Sequence, residues 1–208
     1  MKRVILFILI IAALALGTRY VLKLYNAAII PPPTPTLDTA ETVRLTLLRL
    51  DPANPETFLA IQDIIDLGHE AVEPLIPLIK SDNPLEQWAA VVTLAAVRSQ
   101  LEDQTAITTL LKPAYESRYA TVALHAINSN AIYGDYSGLP IALRTLASDE
   151  ITMYMDPPGP VSEYAAAILR QVSGENFSFS AYASPTEKRQ AIAKWNAWWE
   201  VFRGAEQL

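Results

Sequence analysis

The sequence predicts an all-α protein, on three observations. Helix boundaries are densely marked: Asp38-x-x-Glu41 and Ser184-x-x-Glu187 read as capping boxes, proline follows Asn54, Asn83 and Ser184 at the first helical position, and Gly68, Gly174 and Gly204 read as stops. Strand signals are almost missing, since only Asn176–Ser180 alternates and it is short. An apolar register recurs four times, as Ala60-x3-Ile64-x2-Leu67, Ala90-x3-Leu94-x2-Val97, Ala120-x3-Leu124-x2-Ile127 and Ala165-x3-Leu169-x2-Val172. Such spacings put these residues on one helix face, with the small alanine where a neighbouring helix comes close.

The 208 residues are 51% hydrophobic and 9% aromatic, ample for one packed domain. With 18% charged residues and a mean hydropathy of +0.18, part of the chain is expected in lipid. The absence of cysteine removes disulfides, thiolate metal sites and catalytic thiols, and His69 and His125 are the only imidazoles. Residues 1–30 carry four basic residues and no acid, whereas the remainder holds 12 basic and 22 acidic residues, a net −10. A body of that charge repels phosphate backbones, which argues against nucleic acid and for basic protein partners.

Taken in chain order, the first element is a membrane segment over residues 1–30. Lys2 and Arg3 precede an unbroken apolar run from Val4 to Leu16. A cleaved signal peptide and a retained anchor are the two readings. The small-x-small site Ala13-Leu14-Ala15 lies inside the apolar run, which favours the anchor. A helix over Val4–Thr18 spans only about 22 Å of the ~30 Å hydrocarbon core. Continuing through Leu22–Leu24 closes the gap, with Arg19 and Lys23 snorkelling outward and Tyr20 and Tyr25 in the interfacial belt. A short, basic N-terminal tail stays inside, so the body is expected on the periplasmic side of a bacterial inner membrane. Residues 31–37 follow as a spacer, in which Pro31–Thr36 in polyproline II form reach about 19 Å.

Residues 38–208 form the helical body. The register alanines fall at 60, 90, 120 and 165, steps of 30, 30 and 45 that describe stacked helix pairs with about fifteen extra residues in the third step. An aromatic precedes each alanine: Phe58, Trp88, Tyr119 and Tyr164. The intervening helices are AVEPLIPLI (71–79), TAITTLL (105–111) and GLPIALRTL (138–146).

The extra residues form a loop near Ser148–Pro160 containing Met153, Tyr154, Met155, Pro157 and Pro158. Its composition suits an adaptable contact surface, or a flap whose methionines tuck back onto the body. The last helix carries Ile192, Trp195, Trp199 and Phe202 along one stripe with Trp198 beside it; the stripe is expected to cap the end of the core, and Trp195 and Trp198 are the candidates for docking there.

No P-loop, G-x-S-x-G, H-E-x-x-H or dinucleotide fingerprint occurs. His69 and His125 stand 56 positions apart and read as structural or surface residues. Asp63, Asp66, Glu70 and Glu73 read as a solvated acidic edge rather than a cation site. No catalytic, cofactor or metal residue is assigned.

The stretch Leu67–Val97, with Pro74 in the second-helix position and the Asp82-Asn83-Pro84 turn, resembles a HEAT repeat of the short bacterial kind, although Gln87 stands where that family usually has arginine. The C-terminal run from Gly174 to Glu200 resembles a tail found on some bacterial HEAT-repeat proteins, and the resemblance spans about residues 38–203. It implies a short α-solenoid of about four helix pairs with a C-terminal capping helix, a fold that mostly binds proteins. The function expected is a non-catalytic, membrane-anchored scaffold or accessory subunit of a respiratory, photosynthetic or envelope complex. The alternatives are an enzyme-associated module of lyase-like or envelope-linked activity, as in HEAT-like bilin lyases, and a soluble periplasmic adaptor released by signal cleavage.

Overall fold

A computed structural model describes residues 38–51, 56–101, 103–155 and 157–205. The expected membrane segment with its expected interfacial residues Arg19, Tyr20, Lys23 and Tyr25, the expected spacer and the expected Asn54-Pro55 helix start lie outside the described residues. Among the described residues every regular element is helical, apart from an isolated bridge between Ile151 and Pro160. None of these helices is long and apolar enough to cross a membrane.

The α-helices are α1 (Thr39–Leu47), α2 (Glu56–Ile65), α3 (Val72–Leu75), α4 (Pro84–Val97), α5 (Gln104–Leu111), α6 (Ala120–Ile132), α7 (Leu139–Thr145), α8 (Val161–Ser173) and α9 (Pro185–Ala205). Two of the stretches expected as plain helices are composite. Residues 68–80 run as a 3-10 turn, the single α-turn α3 and a second 3-10 segment, and α5 continues into a 3-10 segment over Lys112–Glu116. Pro77 and Pro113, each at the second position of its 3-10 segment, lack the N–H that would continue an α-helix.

The caps follow the local chemistry. Asn83 accepts from Leu85 N ahead of Pro84, and Ser184 and Glu187 bond each other's backbone N–H reciprocally. At Asp38 only half the box forms: its carboxylate accepts from Ala40 N, whereas Glu41 turns to Arg44. Gly68 and Gly174 adopt φ of +61° and +71° and end their helices in the left-handed form that glycine tolerates best. Gly204 stops nothing, since α9 runs through it to Ala205.

Helices α2, α4, α6 and α8 pack one on the next. On their other side α1 meets α3, and the 3-10 segments at Ile76–Lys80 and Lys112–Glu116 meet each other. The packed face is the predicted one. Ile64, Leu94, Leu124 and Leu169 are all fully buried, as are Ala60, Ala90 and Ala165. Ala120 departs from the register: it opens the first turn of α6 and is half-buried, and Ala123 and Ala126 supply the small contacts one turn further on. Two clusters result, Val43 to Ala126 and Leu124 to Trp195, and α6 contributes to both.

Candidate functional site

Three features of the body could meet a partner: a groove, a flap and a C-terminal cleft. The groove lies between α4 and α6, encloses about 380 Å³, and is lined by Val92, Ala95, Ala96, Ser99, His125, Asn128, Ser129, Ile132 and Tyr133. None of these carries a formal charge at neutral pH. The reason is local: α6 contains no Asp, Glu, Lys or Arg, and α4 contains only Glu86. Small residues on the α4 wall face larger ones on α6, where Ile132 and Tyr133 are 57% and 42% exposed.

Charge is distributed unevenly around it. Residues 38–103 hold 12 acidic and 4 basic residues, net −8, whereas residues 104–208 hold 10 and 8, net −2. In the first half Arg98 is buried, and Arg44 and Arg49 pair with Glu41 and Asp63. The expected acidic edge is present as separate contacts: Asp66 accepts from Gln62 and Glu70 from Thr39. Among the described residues no three His, Asp or Glu side chains come together as a metal site.

An aromatic row crosses the helices. Phe58 stands edge-on to Trp88 at 6.2 Å, Trp88 to His125 at 6.3 Å, and His125 to Tyr164 at 5.1 Å. His125 Nδ1 lies 3.2 Å from the Tyr164 hydroxyl, while its Nε2 is enclosed and finds no partner among the described residues. Burial therefore pushes the His125 imidazole down to about 4, and it is neutral at physiological pH. Burial likewise raises the Tyr164 phenol, so it stays protonated. The pair is a hydrogen-bonded packing element, with no nucleophile beside it.

Sequence reasoning did not find Arg98. It is 1% exposed, closes the end of α4, and gives hydrogen bonds to Gln104 O (2.9 Å), Ser129 O (3.3 Å), Asn130 Oδ1 (3.1 Å) and Thr108 Oγ1. Its guanidinium lies 3.7 Å from the centre of the Tyr133 ring. Asn130 extends the network to Tyr115 Oη and Thr108 O. The only signal was a lone arginine after an apolar run, where a surface position is the ordinary reading. Gln87 is buried and links the 3-10 segment at Ile76–Lys80 to Ser117 by donating to Ile79 O and accepting from Ser117 Oγ, both at 2.7 Å.

The predicted contact residues divide. Within the flap, Thr152 N donates to Gly159 O at 2.7 Å and Met153 N to Thr121 Oγ1 at 2.9 Å. Tyr154 adopts φ +57° and lays its ring 5.3 Å from Trp88. Met153, Tyr154 and Met155 are half-buried, so the flap is tied into the body instead of standing clear of the core register; Pro157 and Pro158 are exposed.

Trp195 is corrected as a docking candidate. It is fully buried, 4.7 Å from Phe177 and 5.7 Å from Trp198, because it fills the end of the second cluster. Trp198 is half-buried beside Phe177, Lys194 and Val201, in an open cleft of about 460 Å³.

No family model, no curated protein and no solved structure matches the chain. The reading of function therefore rests on the residues and geometry above.

Proposed function

We propose that the protein is a non-catalytic, membrane-anchored scaffold or accessory subunit of a larger membrane complex, built as a short HEAT-like α-solenoid. The anchor is the apolar segment beginning at Val4, and the body faces the periplasm of a bacterial cell. One observation carries the reading. Helices α2, α4, α6 and α8 pack in series and leave an uncharged groove between α4 and α6, on a body of net −10. An uncharged concave strip costs little to dehydrate, which suits protein contact better than turnover of a charged small molecule. The buried His125–Tyr164 pair, the enclosed Arg98 and the dispersed carboxylates serve packing and solubility. Purification of the tagged full chain from native membranes in mild detergent tests the proposal. Another membrane chain at constant stoichiometry is the expected result, and recovery of the protein alone across several mild detergents would refute it.

A further inference from the structure

We infer that the α4–α6 groove receives a helical segment of another protein that is apolar and uncharged along the buried stretch and carries Lys or Arg at the end lying towards α2. The inference rests on the scaffold reading and adds the chemistry of the segment bound. The groove walls dictate the first half. Val92, Ala96, Ser99, Ile132 and Tyr133 offer no counter-charge, so a charged side chain seated among them would lose its hydration with nothing in return. Ala95 and Ala96 on α4 and Ser99 just beyond it let a backbone approach closely, while Ile132 is a long, exposed side chain that can close over an inserted helix and Tyr133, stacked on Arg98, forms a fixed wall.

The neighbouring pair dictates the second half. One 30-residue step earlier in the register, the positions of Val92, Ala96 and Ser99 are taken by Gln62, Asp66 and His69, with Asp63 beside them. Asp66 is exposed and carries the charge on this face, since Asp63, at the register position of the buried Thr93, is ion-paired with Arg49; α2 packs directly on α4. The same face thus turns from uncharged to acidic within one step, in the half of the body that carries −8. Rim charges of this kind steer the encounter and fix its direction, so binding should weaken as salt rises.

Photo-crosslinking in native membranes tests this. A benzoylphenylalanine replaces Ile132 in the full chain, or Tyr182 (81% exposed) as a control, and the crosslinked peptide is sequenced. The expected result is a segment of a different chain, free of charge over about three helical turns with a basic residue at one end. Yield at Ile132 should fall at least tenfold with Ala96→Arg and severalfold with Asp66→Lys, with unchanged melting temperatures. A crosslink to an acidic segment, to lipid or to a second copy overturns the inference. So does an absent Ile132 crosslink while a partner still co-purifies, which leaves the scaffold reading standing. Absence of any partner in both experiments removes the two together.

Discussion

Replacing Arg98 by methionine keeps most of the buried apolar bulk and removes every donor. Four acceptors on α5 and α6 then lose their partner: Gln104 O, Ser129 O, Asn130 Oδ1 and Thr108 Oγ1. Hydrogen bonds from a charged donor contribute about 1.5–3 kcal/mol each, so the four together amount to roughly 6–12 kcal/mol. Keeping a guanidinium out of water costs several kcal/mol, and methionine relieves that cost. The balance is a destabilisation of about 3 kcal/mol, which for a body of this size lowers the melting temperature by about 6–12 °C. Arg98→Lys should be nearly as damaging, because an ammonium cannot reach acceptors arranged for a planar fork and loses the contact with Tyr133. Melting of the full chain followed by helical circular dichroism reads the effect, and Asn130→Ala in the Arg98→Met background should add less than it does alone. A shift below 2 °C for both Arg98 variants would mean that Arg98 does not hold α4, α5 and α6 together, and the network account would fail.

Other expectations follow from the same packing. A Cβ at Gly138 would lie 2.5 Å from Ile127 Cγ1 and 3.1 Å from the Tyr115 ring, so Gly138→Ala should cost about 1–3 kcal/mol, and less when added to Ile127→Ala, which removes Cγ1, as urea titration would show. Ala90→Leu should cost about 1–3 kcal/mol and Ala120→Leu clearly less, because Ala90 is fully buried and Ala120 is half-buried; equal melting temperatures would contradict that. His125 titrates near 4 when folded against about 6.5 when unfolded, so between these values the unfolded chain binds the extra proton. Stability is then full above pH 6.5 and falls as pH drops towards 4, by up to about 3 kcal/mol; His125→Phe should flatten the profile in that window. Trp195→Ala should cost about 3–5 kcal/mol in a melting experiment and Trp198→Ala less, since Trp195 fills a closed cluster and Trp198 borders an open cleft.

The helical class, the order of elements and the buried register were legible because they depend on local signals. Asn83-Pro84 and Ser184-x-x-Glu187 fix helix starts by chemistry within four residues, and the Ala-x3-Leu spacing fixes which face is buried. What escaped depends on contacts between distant residues. Arg98 meets Asn130 across 32 positions and Met153 meets Thr121 across 32, so neither the buried cation nor the tethered flap leaves a short-range mark. Trp195 and Trp198 stand three positions apart in one aromatic-rich helix, and only the packing of Trp195 into the second cluster separates the buried ring from the half-buried one. The groove was half legible: α6 visibly lacks charge in the sequence, but its placement against Ala95 and Ala96 is a tertiary fact.

The proposed scaffold role requires the body to hold another membrane protein. The mass of the particle released from native membranes by mild detergent tests that claim most directly. One copy of this chain contributes 22.9 kDa. The account predicts a particle containing a second polypeptide in whole-number ratio, which dissociates when Ala96→Arg is introduced into an otherwise equally stable chain. A particle that contains this chain alone would contradict it, whereas a complex whose mass Ala96→Arg leaves unchanged would contradict only the α4–α6 groove as the partner's seat.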